Sequence, residues 1–269
     1  MKFWELYNFL PDDKAEFMTP FWNDTLDKIK KDFTPEPPLN FLKNGVINHT
    51  MFMNMCDRVI KEYNYLKVNL DKSLLEKLLT ETMIGDPNTC EFDGIITSGN
   101  TVHLLHHIIK YINDINKPIP KNILEWGGGY GNMCRLFHSL VEGLTYTIID
   151  VKFFTCVQQM YLTQLFGKEK VNVGSVKQGK INLMPIGLID ELNIDTDMFV
   201  ATWSISESTD AAQQYLIGKE VYRANQFLMA HQGASGVFPF ADNLKQLINQ
   251  DNIIEEEIPF LKGNYYLFA

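Results

Sequence analysis

The 269-residue chain reads as an α/β protein, with a doubly wound, mostly parallel seven-stranded sheet that ends in an antiparallel hairpin and a helical segment ahead of it. Three observations predict this. From Lys121 onward, short apolar runs alternate with amphipathic stretches, as in strand–helix–strand units. Before that point apolar residues recur every three or four positions among charges, as on helices. At the end of the chain two strand-like runs are joined through Leu261-Lys262-Gly263, too tight for a parallel crossover, so one of them runs antiparallel.

Residues 1–115 are expected to form a helical cap. Phe21–Phe33 and Ser73–Met83 carry helical periodicity, and Pro35-Glu36-Pro37-Pro38 breaks any helix between them. Gly85-Asp86-Pro87-Asn88 is a turn, and Asn100–Asn113 is an amphipathic helix closed by Lys117-Pro118-Ile119-Pro120. The aromatic N-terminus (Phe3, Trp4, Tyr7, Phe9, Phe17, Phe21, Trp22) fits a packing face, with stacking on a sugar as the alternative.

Residues 116–269 are expected to form the sheet domain. Its predicted strands are Asn122–Trp126, Thr145–Asp150, Ile181–Ile186, Asp197–Trp203, Gln226–His231, Glu255–Pro259 and Asn264–Phe268. Helices are expected from Gly131 to Val141, Phe154 to Phe166, Thr209 to Ala224 and Asp242 to Asn249.

Composition removes several classes of function. The net charge is −9 and no basic run exceeds Lys28-Ile29-Lys30-Lys31, which argues against a nucleic-acid partner. Cys56, Cys90, Cys134 and Cys156 form no C-x-x-C pair, so neither a zinc knuckle nor a redox motif is expected. An acid at Glu5 interrupts any leader-like start, and no apolar run is long enough to span a bilayer. The expected location is the cytoplasm, and the oligomeric state, homo-oligomer included, is left open.

Most of the functional signal lies in Ile123-Leu124-Glu125-Trp126-Gly127-Gly128-Gly129-Tyr130-Gly131. A buried strand turns there into a helix, and glycines let a ligand approach the backbone. The dinucleotide pattern G-x-G-x-x-G fails in both registers, because Asn132 or Cys134 stands where the third glycine belongs. Glu125 would repel a pyrophosphate but can pair with an ammonium group. Asp150 ends the second strand 19 residues after Gly131, where a carboxylate can accept from both ribose hydroxyls. A cofactor with an ammonium, a sulfonium and a ribose but no phosphate fits this set, and S-adenosylmethionine is such a molecule. The alternative is that both acids are ordinary strand-end residues.

Glu-x-Gly-Gly-Gly-Tyr-Gly, then a helix and Ile-Ile-Asp, resembles the class I S-adenosylmethionine-dependent methyltransferases. Ala201-Thr202-Trp203-Ser204-Ile205-Ser206-Glu207 and Gly85-Asp86-Pro87 narrow the resemblance to sugar O-methyltransferases of polysaccharide biosynthesis, over about residues 85–216. Trp126 stands where that family has Ile or Val, and Ala201 where it often has Ser. The resemblance implies a Rossmann-like domain, S-adenosyl-L-methionine as cofactor, S-adenosyl-L-homocysteine as product, and a sugar or sugar nucleotide as acceptor. An N-methyltransferase acting on an amino sugar or small amine, and a non-catalytic cofactor-binding relative, remain the alternatives.

Ligands of doubly wound sheets sit outside the carboxyl ends of the strands. The expected cofactor contacts are therefore Glu125, Gly127, Gly128, Gly129, Gly131, Asp150, Val151, Trp203 and Ser204. Candidates for the base that takes the acceptor's proton are His103, His107, Glu207 and His231. His103 and His107 share a helix face and could grip a metal, but no acid of a ligand motif accompanies them and none is expected. His49 and His138 read as structural.

Overall fold

The computed structural model describes residues 1–192, 195–248, 253–259 and 261–269. The chain begins with helices α1 (Phe3–Phe9), α2 (Pro20–Asp32), α3 (Gly45–Met51), α4 (Asp57–Asn69) and α5 (Lys72–Leu79). A hairpin of β1 (Cys90–Phe92) and β2 (Ile95–Thr97) follows, then the long helix α6 (Gly99–Ile115). Side-chain caps fix the helix starts: Thr19 accepts from Trp22 N–H ahead of Pro20, Asp71 from Leu74 N–H, and Ser98 from Thr101 N–H.

The remaining elements are β3 (Asn122–Trp126), α7 (Asn132–Leu140), β4 (Thr145–Asp150), α8 (Lys152–Phe166), β5 (Val171–Val173), β6 (Ile181–Pro185), β7 (Met198–Thr202), α9 (Asp210–Gly218), β8 (Gln226–Gln232), β9 (Ile254–Glu257) and β10 (Asn264–Phe268). Among the described residues the main sheet has eight strands in the order β5-β6-β4-β3-β7-β8-β10-β9. β5 to β8 pair in parallel, while β10 lies antiparallel between β8 and β9. Every residue of β4 is buried, which suits a strand covered on both faces. From β3 the chain winds out to β4 on one side, and from β6 it returns to place β7 on the other, so the crevice at the carboxyl end of β3 is the switch point of the sheet.

The α/β class, the Rossmann-like sheet, the terminal hairpin and the helical N-terminus agree with expectation. Five local features differ. The edge strand β5 raises the strand count by one. The β1–β2 hairpin interrupts the helical segment, turning at Asp93-Gly94, where φ is 50° and 84°. The helix from Ser73 stops at Leu79 because Glu81 N–H bonds Ile96 O of that hairpin at 2.9 Å. The helix after Thr209 ends at Gly218, and Glu220–Arg223 turns with positive φ throughout. The short helix expected from Asp242 is a 3-10 turn over Ala241–Leu247, and its expected last residue, Asn249, lies outside the described residues.

The aromatic N-terminus divides between packing and cavity. Phe3 and Phe33 pack on Phe153 of α8, with ring centroids 5.4 and 5.1 Å apart, and Trp4 Nε1 donates to Phe33 O. Phe17 and Trp22 instead reach the crevice described next.

Candidate active site

A cavity of about 430 Å³ opens at the carboxyl ends of β3, β4 and β7, and the N-terminal segment roofs it. This volume lies within the ~300–1,000 Å³ usual for small-molecule clefts. Glu125, Gly127, Gly128, Gly129, Asp150, Val151, Trp203 and Ser204 all line it, as do His103 and Glu207. Residues more than a hundred positions apart in the chain thus converge on one space.

The glycine loop is shaped by its close contacts. Gly127, Gly129 and Gly131 have φ of 72°, 57° and 102°, a region that L side chains avoid. A Cβ on Gly127 would collide with Ser204, and one on Gly128 would lie 2.7 Å from Ile148 Cγ2 and 2.9 Å from Glu125 Oε2. Gly131 does not line the cavity. It caps α7, and its α-carbon faces Leu162. Gln158 ties the loop to the second strand: its Nε2 donates to Gly129 O at 2.9 Å and to Asp150 Oδ2 at 2.7 Å.

Burial, more than any charged neighbour, sets the state of both acids. Asp150 also accepts from Val151 N–H at 2.8 Å, and burial raises its carboxyl to about 7 against the downward pull of these donors. Glu125 is 2% exposed and accepts from Tyr146 Oη at 3.0 Å, and burial raises it to about 8. No cation pairs with either acid among the described residues. A cationic ligand would favour their ionised forms.

Trp203 has φ of 62°, a strained value for a bulky residue, and its Nε1 donates to Asn264 Oδ1 at 2.7 Å. Its ring centroid lies 5.4 Å from both His103 and His107. Ser204 Oγ donates to Trp126 O and Ser208 Oγ to Ser204 O, which locks the loop after β7. Thr209 rather than Ser208 caps α9, accepting from Ala212 N–H, while Ser208 receives Trp126 Nε1. Glu207 faces the cavity with the Trp22 indole as its partner, and burial raises its carboxyl to about 7.

The four base candidates separate. His103 borders the cavity, but Nδ1 lies 2.8 Å from buried Glu62 and Nε2 lies 3.1 Å from His107 Nε2, so both nitrogens are engaged inside the protein. His107 is fully buried behind it, does not line the cavity, and bonds Tyr266 Oη at 2.6 Å; burial pushes it well below its usual value. His231 sits within β8 opposite Tyr265 and also misses the cavity. Glu207 is left with a carboxylate facing the open space. His49, expected to be structural, lines the cavity, whereas His138 does not.

Sequence reasoning missed several lining residues, among them Arg58 on α4, Asn100 on α6, Tyr130 and Phe154. Asn100 Nδ2 donates to Tyr130 Oη at 3.0 Å, and Asn132 Nδ2 donates to Thr101 Oγ1 at 3.1 Å, so α6 buttresses the glycine loop. Arg58, Asn100 and Phe154 belong to no motif, and their shared place with Tyr130 of the glycine loop appears only when the chain folds.

No protein-family model matches the chain, and no curated protein matches it in sequence. Solved structures similar to it include the pyocyanin biosynthetic protein PhzM, at 14% identity and TM-score 0.40, covering 64% of this chain and 58% of that one. PigF with SAH is 12% identical with TM-score 0.42, over 64% of this chain and 56% of that one. Magnesium protoporphyrin IX methyltransferase from Synechocystis PCC 6803 with bound SAH is 9% identical with TM-score 0.40, over 62% of this chain and 82% of that one. The aligned part thus spans less than three fifths of the first two proteins.

Proposed function

We propose that the protein is an S-adenosylmethionine-dependent methyltransferase that methylates a sugar hydroxyl, nucleotide-linked or glycan-bound, in polysaccharide or glycoconjugate biosynthesis. One observation carries the reading: the glycine loop, Glu125 and Asp150 surround a single cavity at the switch point of the sheet. In this reading the ribose takes the remaining acceptor sites of Asp150, and Glu125 faces the ammonium end of the cofactor. Residues 1–115 act as the cap that closes over the acceptor, and 116–269 as the cofactor domain. S-adenosylmethionine supplies an electrophilic methyl on sulfur.

The chain's own residues supply alignment and a base. Holding donor and acceptor in line yields much of the acceleration in such displacements. Glu207, with its carboxyl near 7, is half ionised near neutrality and suited to accept a hydroxyl proton. His103, held by Glu62 and His107, serves the wall of the site instead. The rings of Phe17, Trp22 and Trp203 on the cavity offer faces for a sugar.

Mass spectrometry of products from hydroxyl and amine acceptors tests the proposal. A mass gain of one methyl on a hydroxyl sugar supports it, and methylation confined to amines replaces it with N-methylation. Glu207→Gln is expected to slow turnover by ~10²–10⁴-fold and to abolish the rise of rate with pH through about 7.

A further inference from the structure

Arg58 lines the cavity and is the one lysine or arginine to do so among the described residues. Its side chain is 13% exposed, and its ion pair with Glu62, one turn along α4, is long and brings no hydrogen bond to Nε. Nε has no hydrogen-bond partner, and one terminal nitrogen donates to the sulfur of Met53, a weak acceptor. The nearest carboxylate, Glu62 Oε1, is 4.0 Å away and already engages His103 at 2.8 Å. A largely covered guanidinium with its Nε unpartnered gains from an anion that completes its fork of donors.

We infer that Arg58 is an anion subsite, and that the acceptor bound beside the cofactor carries a carboxylate or phosphate group. This rests on the methyltransferase reading and narrows it. The cavity carries both signs: the acids Glu125 and Asp150 suit a cationic donor, and Arg58 suits an anionic group. A planar guanidinium matches carboxylate and phosphate oxygens two at a time, so the anion also fixes the orientation of the molecule that bears it. The cofactor's own carboxylate has the same chemistry, and the experiment separates the two sources.

Calorimetric titration with S-adenosylhomocysteine, with its decarboxylated analogue, and with inorganic phosphate on the S-adenosylhomocysteine-saturated protein provides the test. Wild type and Arg58→Gln are compared, with Arg58→Lys as the variant that keeps a positive charge. The expected result is phosphate binding to the saturated wild type, weakened at least tenfold in Arg58→Gln and less in Arg58→Lys. S-adenosylhomocysteine affinity should change less than threefold in Arg58→Gln, which also reports that the variant is folded. Absence of phosphate binding to the saturated wild type, or equal binding by Arg58→Gln, overturns the inference while leaving the cofactor reading intact. If wild type prefers S-adenosylhomocysteine over the decarboxylated analogue and Arg58→Gln loses that preference, the arginine holds the cofactor's carboxylate and the acceptor assignment falls. Failure of wild type to bind S-adenosylhomocysteine at all removes the underlying reading instead.

Discussion

Glu125 shows how a single buried group links stability to ligand. Burial lifts its carboxyl from 4.5 to about 8, so the native state keeps a proton that the unfolded chain releases. Stability from this group is therefore full below about 4.5 and is lost as pH rises through about 8. A cationic ligand reverses the preference, because it stabilises the ionised form. The Glu125→Gln variant cannot release the proton, so its advantage over wild type should grow from pH 5.5 to pH 8, by on the order of 1–3 kcal/mol in denaturant unfolding without ligand. Asp150 and Asp13, raised by burial to about 7 and about 6, contribute the same slope to both proteins and cancel. Parallel curves for the two proteins would show that Glu125 is ionised in the native state.

The strand–loop–helix unit around Gly127–Gly131 owes its shape to contacts a sequence pattern only hints at. Gly128 lacks a positive φ, so its requirement is steric: a methyl there meets Ile148 and Glu125. Gly128→Ala should cost about 1–3 kcal/mol and weaken cofactor binding, as overpacking does. Gly45→Ala, where nothing lies within 4 Å, should be neutral or slightly stabilising. Equal stability of the two variants would contradict the contact. This unit and Asp150 were legible in advance because their residues are close in sequence and sit at strand ends. Arg58 and Asn100 were not, since they come from distant helices that meet the loop only in the folded state. The Asp93-Gly94 turn carried a hairpin signal, but its strands are only three residues each, too short to show alternation.

At the scale of the whole molecule, strand–helix alternation was enough to foresee the class, and the tight join at Leu261-Lys262-Gly263 the antiparallel end, while edge strand β5 left too faint a trace. The sheet ends at β5 on one side and at the acidic β9, Ile254-Glu255-Glu256-Glu257, on the other, and like charges on an edge discourage pairing with another copy. Among the described residues no helix is long and apolar enough to cross a membrane. The fold gathers three acids from separate strands and loops into one cavity, and the central claim is that this cavity holds S-adenosylmethionine. Isothermal titration with S-adenosylhomocysteine tests it most directly. The account predicts one saturable site in wild type and binding at least ~10-fold weaker in a folded Asp150→Ala variant, the loss of a charge-assisted pair of hydrogen bonds. No binding to wild type, or equal affinity in the two proteins, would contradict it.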